Sequence, residues 1–397
     1  MIPVADAIAR ILAGVGPLPA EMVPLGDGLG RVLAEDLASR RTQPPAAVSA
    51  MDGYAVRAAD VSGAPAELRI VAEIAAGAAW TGSVGAREAA RIFTGAPVPE
   101  GADAIVIQED CERSGDRVTV REPAAAGAYV RPAGLDFAEG DVLLSAGRRL
   151  TSRDIGLAAA MNRPWLPVRR WPRVALLATG DEIALPGEPL GPQQIVSSSG
   201  PGLAALVAEA GGQAVSLGVA EDSTASLRAR AAGAEGADIL VTMGGASVGE
   251  HDLVQSALAE DGLEVDFWRI AMRPGKPLMF GRMGGALVLG LPGNPVSAFV
   301  CALLFLRPLI DAMLGLPAGP PAREPARLGA ALGANDRRED YLRARLAADG
   351  EDLPVATPFA RQDSSMLARF VEADALVVRA PHAPPAAAGD LVEVIRL

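Results

Sequence analysis

At 397 residues the chain is too long for one ordinary core and implies about two to four domains, and 50% hydrophobic residues with a mean hydropathy of +0.24 exclude a disordered chain. A net charge of −12, a pI near 4.8 and only 4% aromatic residues exclude the basic, base-stacking surface of a nucleic-acid binder. Two cysteines rule out a Cys-rich zinc site and two histidines restrict catalytic triads, so chemistry falls to carboxylates, backbone donors, arginine or lysine, and a hard cation.

The first residues lack a basic segment ahead of their apolar positions and Asp6 interrupts them, so no signal peptide and a cytoplasmic location are expected. Residues 4–13 have the spacing of a short amphipathic helix, and residues 28–39, GLGRVLAEDLAS, predict a second. Beyond Pro44 and Pro45, β-type runs at 68–74, 104–107 and 117–121 between glycines and prolines predict a small, mainly β domain. Thr151 followed by Asp154 predicts a capping box on a helix reaching about Asn162, and Pro164, Pro167 and Pro172 then predict a stiff boundary.

From Arg173 the pattern alternates. VALLATG, AVSLGVA and ADILVTMGG read as buried strands, and residues 199–210, 224–234 and 253–260 as helices, which predicts βαβ units and a parallel, doubly wound sheet. Ligands on such sheets bind beyond the carboxyl ends of the strands, here the loops TGDE, AEDS and GGASVGEHD. The turns RPGKP and LPGNP bracket a hairpin of residues 278–280 and 286–291, with Asn294 as N-cap and Pro295 as first residue of a helix kinked at Pro308. No charge occurs from 283 to 306, but prolines and glycines interrupt the run, and the piece after Pro295 reads as too short to cross about 30 Å of hydrocarbon. Strand-like runs at 341–346, 375–378 and 391–395 predict a small C-terminal β-barrel.

Lys276 is the sole lysine; the other 35 of the 36 basic residues are arginine. It lies in the RPGKP turn, and chain polarity aims that turn and the Asn294–Pro295 helix start at one place, a common anion site. In the 244–252 loop, Gly244 and Gly245 permit close approach of backbone N–H groups to an anion, while Asp252 reads equally as a helix cap or a functional carboxylate. Asp181 and Glu182 read as a turn or a site, and Asp222 as an N-cap or a site. Three acidic loops at one sheet edge, beside the Arg273/Lys276 turn, favour a phosphate-bearing ligand with Mg²⁺, although neither a Walker A motif nor GxGxxG is present. Asp52 and Thr94 lie in loops whose contacts the residues alone do not specify.

In this order and at these intervals, SAMDGYA, TGAPVPEGAD, TGDE, GGASVGEHD, RPGKP and LPGNP resemble the molybdopterin molybdenumtransferase family, which includes the bacterial MoeA proteins and the E domain of gephyrin. The resemblance spans essentially the whole chain. It implies a transferase of molybdenum cofactor biosynthesis that inserts molybdenum from molybdate into the dithiolene of adenylylated molybdopterin with Mg²⁺, releasing AMP. It implies a homodimer whose clefts are shared between subunits, transient contact with a separate molybdopterin adenylyltransferase, and no nucleic-acid or membrane partner. The implied fold is a central three-layer αβα doubly wound domain (172–318), a mainly β domain (44–145), an elongated helical and extended N-terminal domain (1–43 with 146–171) and a C-terminal β-barrel (319–397).

Carried over by position, Gly244, Gly245, Ser247, Asp222, Asp252, Pro292, Gly293 and Asn294 would hold the pterin nucleotide, and Glu182, Asp222 and Asp252 the Mg²⁺. Arg273, Lys276, Arg343 and Ser364 would hold molybdate. Asp52, Thr94, Arg131 and Asp136, with Glu182, Asp252 and Lys276, would serve the reaction. Arg273 stands where lysine is common, Ala47 and Val48 where many members have Asp and Asn, and Leu135 where Glu often precedes the matched aspartate. Two other readings use the same fold: a non-catalytic scaffold or cofactor carrier, and a tungsten-inserting homologue.

Overall fold

The computed structural model describes residues 1–397 apart from Ala79, residues 245–252 and Glu351. Its contacts divide it into two compact units: Met1–Glu21, Gly30–Ala34 and Val168–Leu397 form one, and Met22–Leu29 with Glu35–Pro167 the other.

The larger unit is built on a six-stranded sheet in the order Gln213–Ala220, Arg173–Thr179, Ile239–Met243, Ala286–Leu291, Pro277–Met283, Glu264–Arg269. The first four strands are parallel, and Pro277–Met283 runs antiparallel to both its neighbours. Alternate residues of Arg173–Thr179 serve opposite faces. Val174 and Leu176 pack with Leu203 and Val207 of helix Ser199–Ala210, while Ala175 and Leu177 pack with Leu227 and Leu258 of helices Thr224–Ala231 and Leu253–Ala259. Burial on both faces makes the strand one continuous apolar run and gives the three-layer αβα sandwich.

Several elements differ from the sequence reading. Gln213–Ala220 is an edge strand and largely half-buried, with a register shift beside Gly218 (φ 78°). Glu264–Arg269 is a strand where none is expected. Residues 28–39 contain no helix: Gly30 has φ 76°, Leu33 bridges antiparallel to Val168, and Leu37–Ala38 is a short strand. Consecutive burial of Val32, Leu33 and Ala34 suits paired extended chain better than one stripe of a helix. The proline boundary likewise contains a strand, Trp165–Arg169. The helical run from Pro295 does not stop short. A π-turn at Ala302–Leu306 carries it through Pro308 to Met313, 19 residues in all and long and apolar enough to span a membrane, yet 72% of its apolar window is buried in the core.

At the C-terminal end, Glu339–Ala347, Val355–Pro358, Glu324–Leu328, Leu391–Arg396 and Ala375–Arg379 pair in sequence, and Ala375–Arg379 closes back onto Glu339–Ala347 as a five-stranded barrel. Met272–Arg273 adds alongside it, parallel to Glu339–Asp340.

The smaller unit holds a second six-stranded sheet, in which Gly53–Val56 lies between Ala104–Ile107 and Glu88–Ile92. Tyr54 and Val56 face one cluster with Leu68 and Val118; Ala55 faces another with Ile74, Ile92 and Ile105. Thr151 and Asp154 form the expected capping box on helix Ser152–Ala160, and Asp154 also receives Arg148 at 2.9 Å.

Candidate active site

In the larger unit the carboxyl ends of the parallel strands open onto a cleft of about 650 Å³. Glu182, Asp222, Gly244, Pro292, Gly293 and Asn294 all line it, so six of the residues singled out in the sequence meet on one wall. Gly245, Ser247 and Asp252 lie outside the described residues. Gly244 is required where it stands: at φ 94°, a Cβ there would come 2.7 Å from the Thr179 carbonyl oxygen.

Neither Asp222 nor Asn294 makes the capping bond the sequence offers. Ser223, not Asp222, caps helix Thr224–Ala231, its Oγ accepting from the Ser226 N–H at 3.2 Å, while the Asp222 N–H donates to Asp181 at 3.0 Å. Asn294 occupies the N-cap position before Pro295, but its side chain makes no capping bond and lies on the cleft. Ser197 and Ser199, each about nine-tenths buried, also line the cleft with Thr179 and Ser365. The sequence reading passed over them, although a serine run ahead of a helix is itself a helix-start signal.

Lys276 is half-buried beside Pro277, another cleft residue, and its ammonium has no hydrogen bond or ion pair with a described residue. Its position is set from behind. Gly275 has φ 110°, and a Cβ there would meet Cys301 Sγ at 2.5 Å; the Cys301 thiol packs on the Gly275 carbonyl at 3.8 Å. Burial pushes that thiol's pKa far up, as befits a structural cysteine.

Arg273 points elsewhere. Its Nε donates to Asp340 Oδ1 at 2.9 Å and its Nη2 to Asp340 Oδ2, with Asn335 Oδ1 at 3.3 Å and Asp336 at 3.6 Å. The hydrogen bond to Asp340, foremost, raises its pKa. Arg343 is wholly buried: Nη2 donates to the Asp363 carbonyl at 3.1 Å, whereas Nε and Nη1 have no partner among the described residues, and desolvation lowers its pKa. The Ser364 carbonyl accepts from the Val296 N–H at 3.1 Å, which ties the 362–365 loop to the first turn of helix Pro295–Cys301.

In the smaller unit, Arg131 and Asp136 share a cleft of about 670 Å³ with Arg41, Gln43, Val48 and Leu135. Gly95 lines it too, next to Thr94, whose N–H and Oγ1 both donate to Asp52 Oδ1 at 2.7 Å. Those two bonds, the backbone one first, hold the Asp52 carboxyl below its ordinary range.

A doubly wound sheet with carboxylates, serines and glycine loops at its carboxyl edge, a lysine without a described partner, and a buried arginine with two unmatched donors define an α/β enzyme built to hold anions. Family models match nearly end to end: the MoeA N-terminal region (domain I and II) at residues 2–162, a probable molybdopterin binding domain at 175–312, and the MoeA C-terminal region (domain IV) at 325–397. Molybdopterin molybdenumtransferase 2 of Mycobacterium tuberculosis is 39% identical over 320 residues, 78% of each chain, and the molybdopterin molybdenumtransferase of a Nostoc species is 39% identical over 307 residues, 75% of this chain and 70% of that one. A molybdopterin biosynthesis MoeA protein from Pyrococcus horikoshii superposes with a TM-score of 0.88 at 33% identity, covering 100% of this chain and 99% of that one. The chain belongs to the molybdopterin molybdenumtransferase family.

Proposed function

We propose that the protein inserts molybdenum from molybdate into the dithiolene of adenylylated molybdopterin in molybdenum cofactor biosynthesis, releasing AMP. The observation that carries this reading is the carboxyl-edge cleft that gathers Glu182, Asp222, Gly244, Gly293 and Asn294, and Arg343 adds to it. A fully buried guanidinium with two unmatched donors is costly unless an anion completes it, and the loop it donates to also supplies Ser365 to the cleft. Lys276 adds a compact positive charge beside the same cleft, and Gly244, Gly293 and Asn294 offer the backbone approach a nucleotide phosphate needs.

Glu182 and Asp222 are hard oxygen donors on the cleft wall, which suits Mg²⁺, though among the described residues no group of three or more metal-type side chains converges. When bound, the ion would offset phosphate charge as AMP leaves. Asp52 with Thr94, and Arg131 with Asp136, are assigned to the same reaction. A homodimer in the cytoplasm, supplied by a separate adenylyltransferase, completes the proposal.

The test is AMP release from adenylylated molybdopterin by purified protein, with and without molybdate. Release that depends on molybdate and Mg²⁺ is expected; release indifferent to molybdate rejects the function. Tungstate competition in the same assay measures metal preference, and mass in solution at micromolar concentration tests the dimer.

A further inference from the structure

We propose that Arg273 is a positioning residue rather than an oxyanion ligand: it ties the RPGKP turn to the C-terminal barrel and leaves Lys276 as that turn's cation for the anion. The proposal rests on the function above only in its activity arm.

The guanidinium fork is already filled. Asp340 takes Nε and Nη2 together, Asn335 shares Nη2 at 3.3 Å, and Asp336 stands 3.6 Å from Nη1. Asn335 and Asp336 are fixed without Arg273. The two N–H groups of the Asn335 carboxamide are shared among the carbonyls of Arg338, Arg379 and Ala380 at 2.8, 3.0 and 2.9 Å, and Asp336 accepts from the Arg338 backbone at 2.8 Å and its side chain at 2.9 Å. Asp340 is only 4% exposed, so without its arginine it would be a buried, uncompensated carboxylate.

The backbone makes the same junction. Met272–Arg273 pairs with Glu339–Asp340, and the Glu339 N–H donates to the Ala271 carbonyl at 2.9 Å. Two carboxylates beside the guanidinium also repel a molybdate dianion there. A lysine, with one compact charge, cannot make this planar two-point junction, which accounts for arginine at this position beside the sole lysine. The turn carries Lys276 three residues on, and the barrel strand carries Arg343 three residues past Asp340. The junction therefore sets the separation between the two cations proposed to bind the oxyanion.

The test compares Arg273→Ala, Arg273→Lys, Asp340→Asn and the Arg273→Ala/Asp340→Asn double variant by molybdate titration of AMP release and by thermal unfolding. A loosened turn still supplies the Lys276 charge but at a less fixed position. Each single variant should therefore raise molybdate KM several-fold, Asp340→Asn in the same direction as Arg273→Ala, the double should be no worse than the worse single, and lysine should not rescue. If Arg273 instead binds the oxyanion, Asp340→Asn frees the guanidinium and lowers molybdate KM while Arg273→Ala raises it, and these opposite signs overturn the proposal. Should the wild type show no molybdate-dependent turnover, the proposed function falls. The junction is then decided by unfolding alone: non-additive losses in Tm support it and additive ones overturn it.

Discussion

Both donors of Thr94, the backbone N–H and the side-chain hydroxyl, converge at 2.7 Å on one oxygen of Asp52 and leave the other oxygen without them. A carboxyl held this way has a lower pKa folded than unfolded, so its contribution is complete above the ordinary carboxylate range and is lost as pH falls through the depressed folded value. Thr94→Ala removes the hydroxyl but not the N–H, the larger cause, and returns the pKa only part of the way. The acid limb of the pH–rate profile should therefore move to higher pH in Thr94→Ala, and Thr94→Ser should restore it. An unmoved acid limb would detach Asp52 from the reaction.

Lys276 has no described partner to lose and is only half-buried. Lys276→Ala is expected to lower AMP release by about 10²- to 10³-fold, the scale of removing one preorganised electrostatic group, while Tm shifts by no more than about 2 °C. A large Tm loss with proportionate activity would instead make the lysine a structural element of its turn.

How much of this was legible depends on how local the cause is. Helix Ser199–Ala210 has the bounds the sequence implies, and the Thr151–Asp154 capping box forms, because apolar period and cap chemistry sit within a few residues. The acidic loops were legible by place, since Glu182 and Asp222 follow strands in a strict strand–helix alternation that marks a parallel sheet. Strand Glu264–Arg269 was not, because Glu264, Asp266 and Arg269 interleave with Val265 and Phe267 on a sheet edge that tolerates charge. Helical spacing at 28–39 was overridden by long-range pairing, such as Leu33 with Val168. The partner of Arg273 lies 67 residues away, and no local pattern links the two.

Gly275 offers a test of what holds the lysine turn in place. Gly275→Ala puts a Cβ 2.5 Å from Cys301 Sγ and forces φ 110° on a residue that disfavours it, at a combined cost of about 2–4 kcal/mol. Cys301→Ala in the same chain removes the tightest clash but leaves Met272 Cε at 3.0 Å and the backbone strain. The double variant should regain only part of the lost Tm; full recovery would assign the whole effect to the sulfur.

Arg343 separates stability from function in sign. Its Nε and Nη1 are buried with no partner among the described residues, and its pKa is lowered by desolvation, so in the absence of an anion the charge is a liability. Arg343→Met keeps most of the volume and discards the unmatched donors, so Tm without ligand should hold or rise even though the bond to the Asp363 carbonyl is lost. Molybdate should raise the Tm of the wild type by mass action and leave that of Arg343→Met unchanged, with AMP release abolished in the variant. Thermal scans across a molybdate series measure both effects in one experiment. A Tm that falls sharply in the variant without ligand, and still climbs with molybdate, would place the oxyanion elsewhere and make Arg343 a packing residue of the barrel.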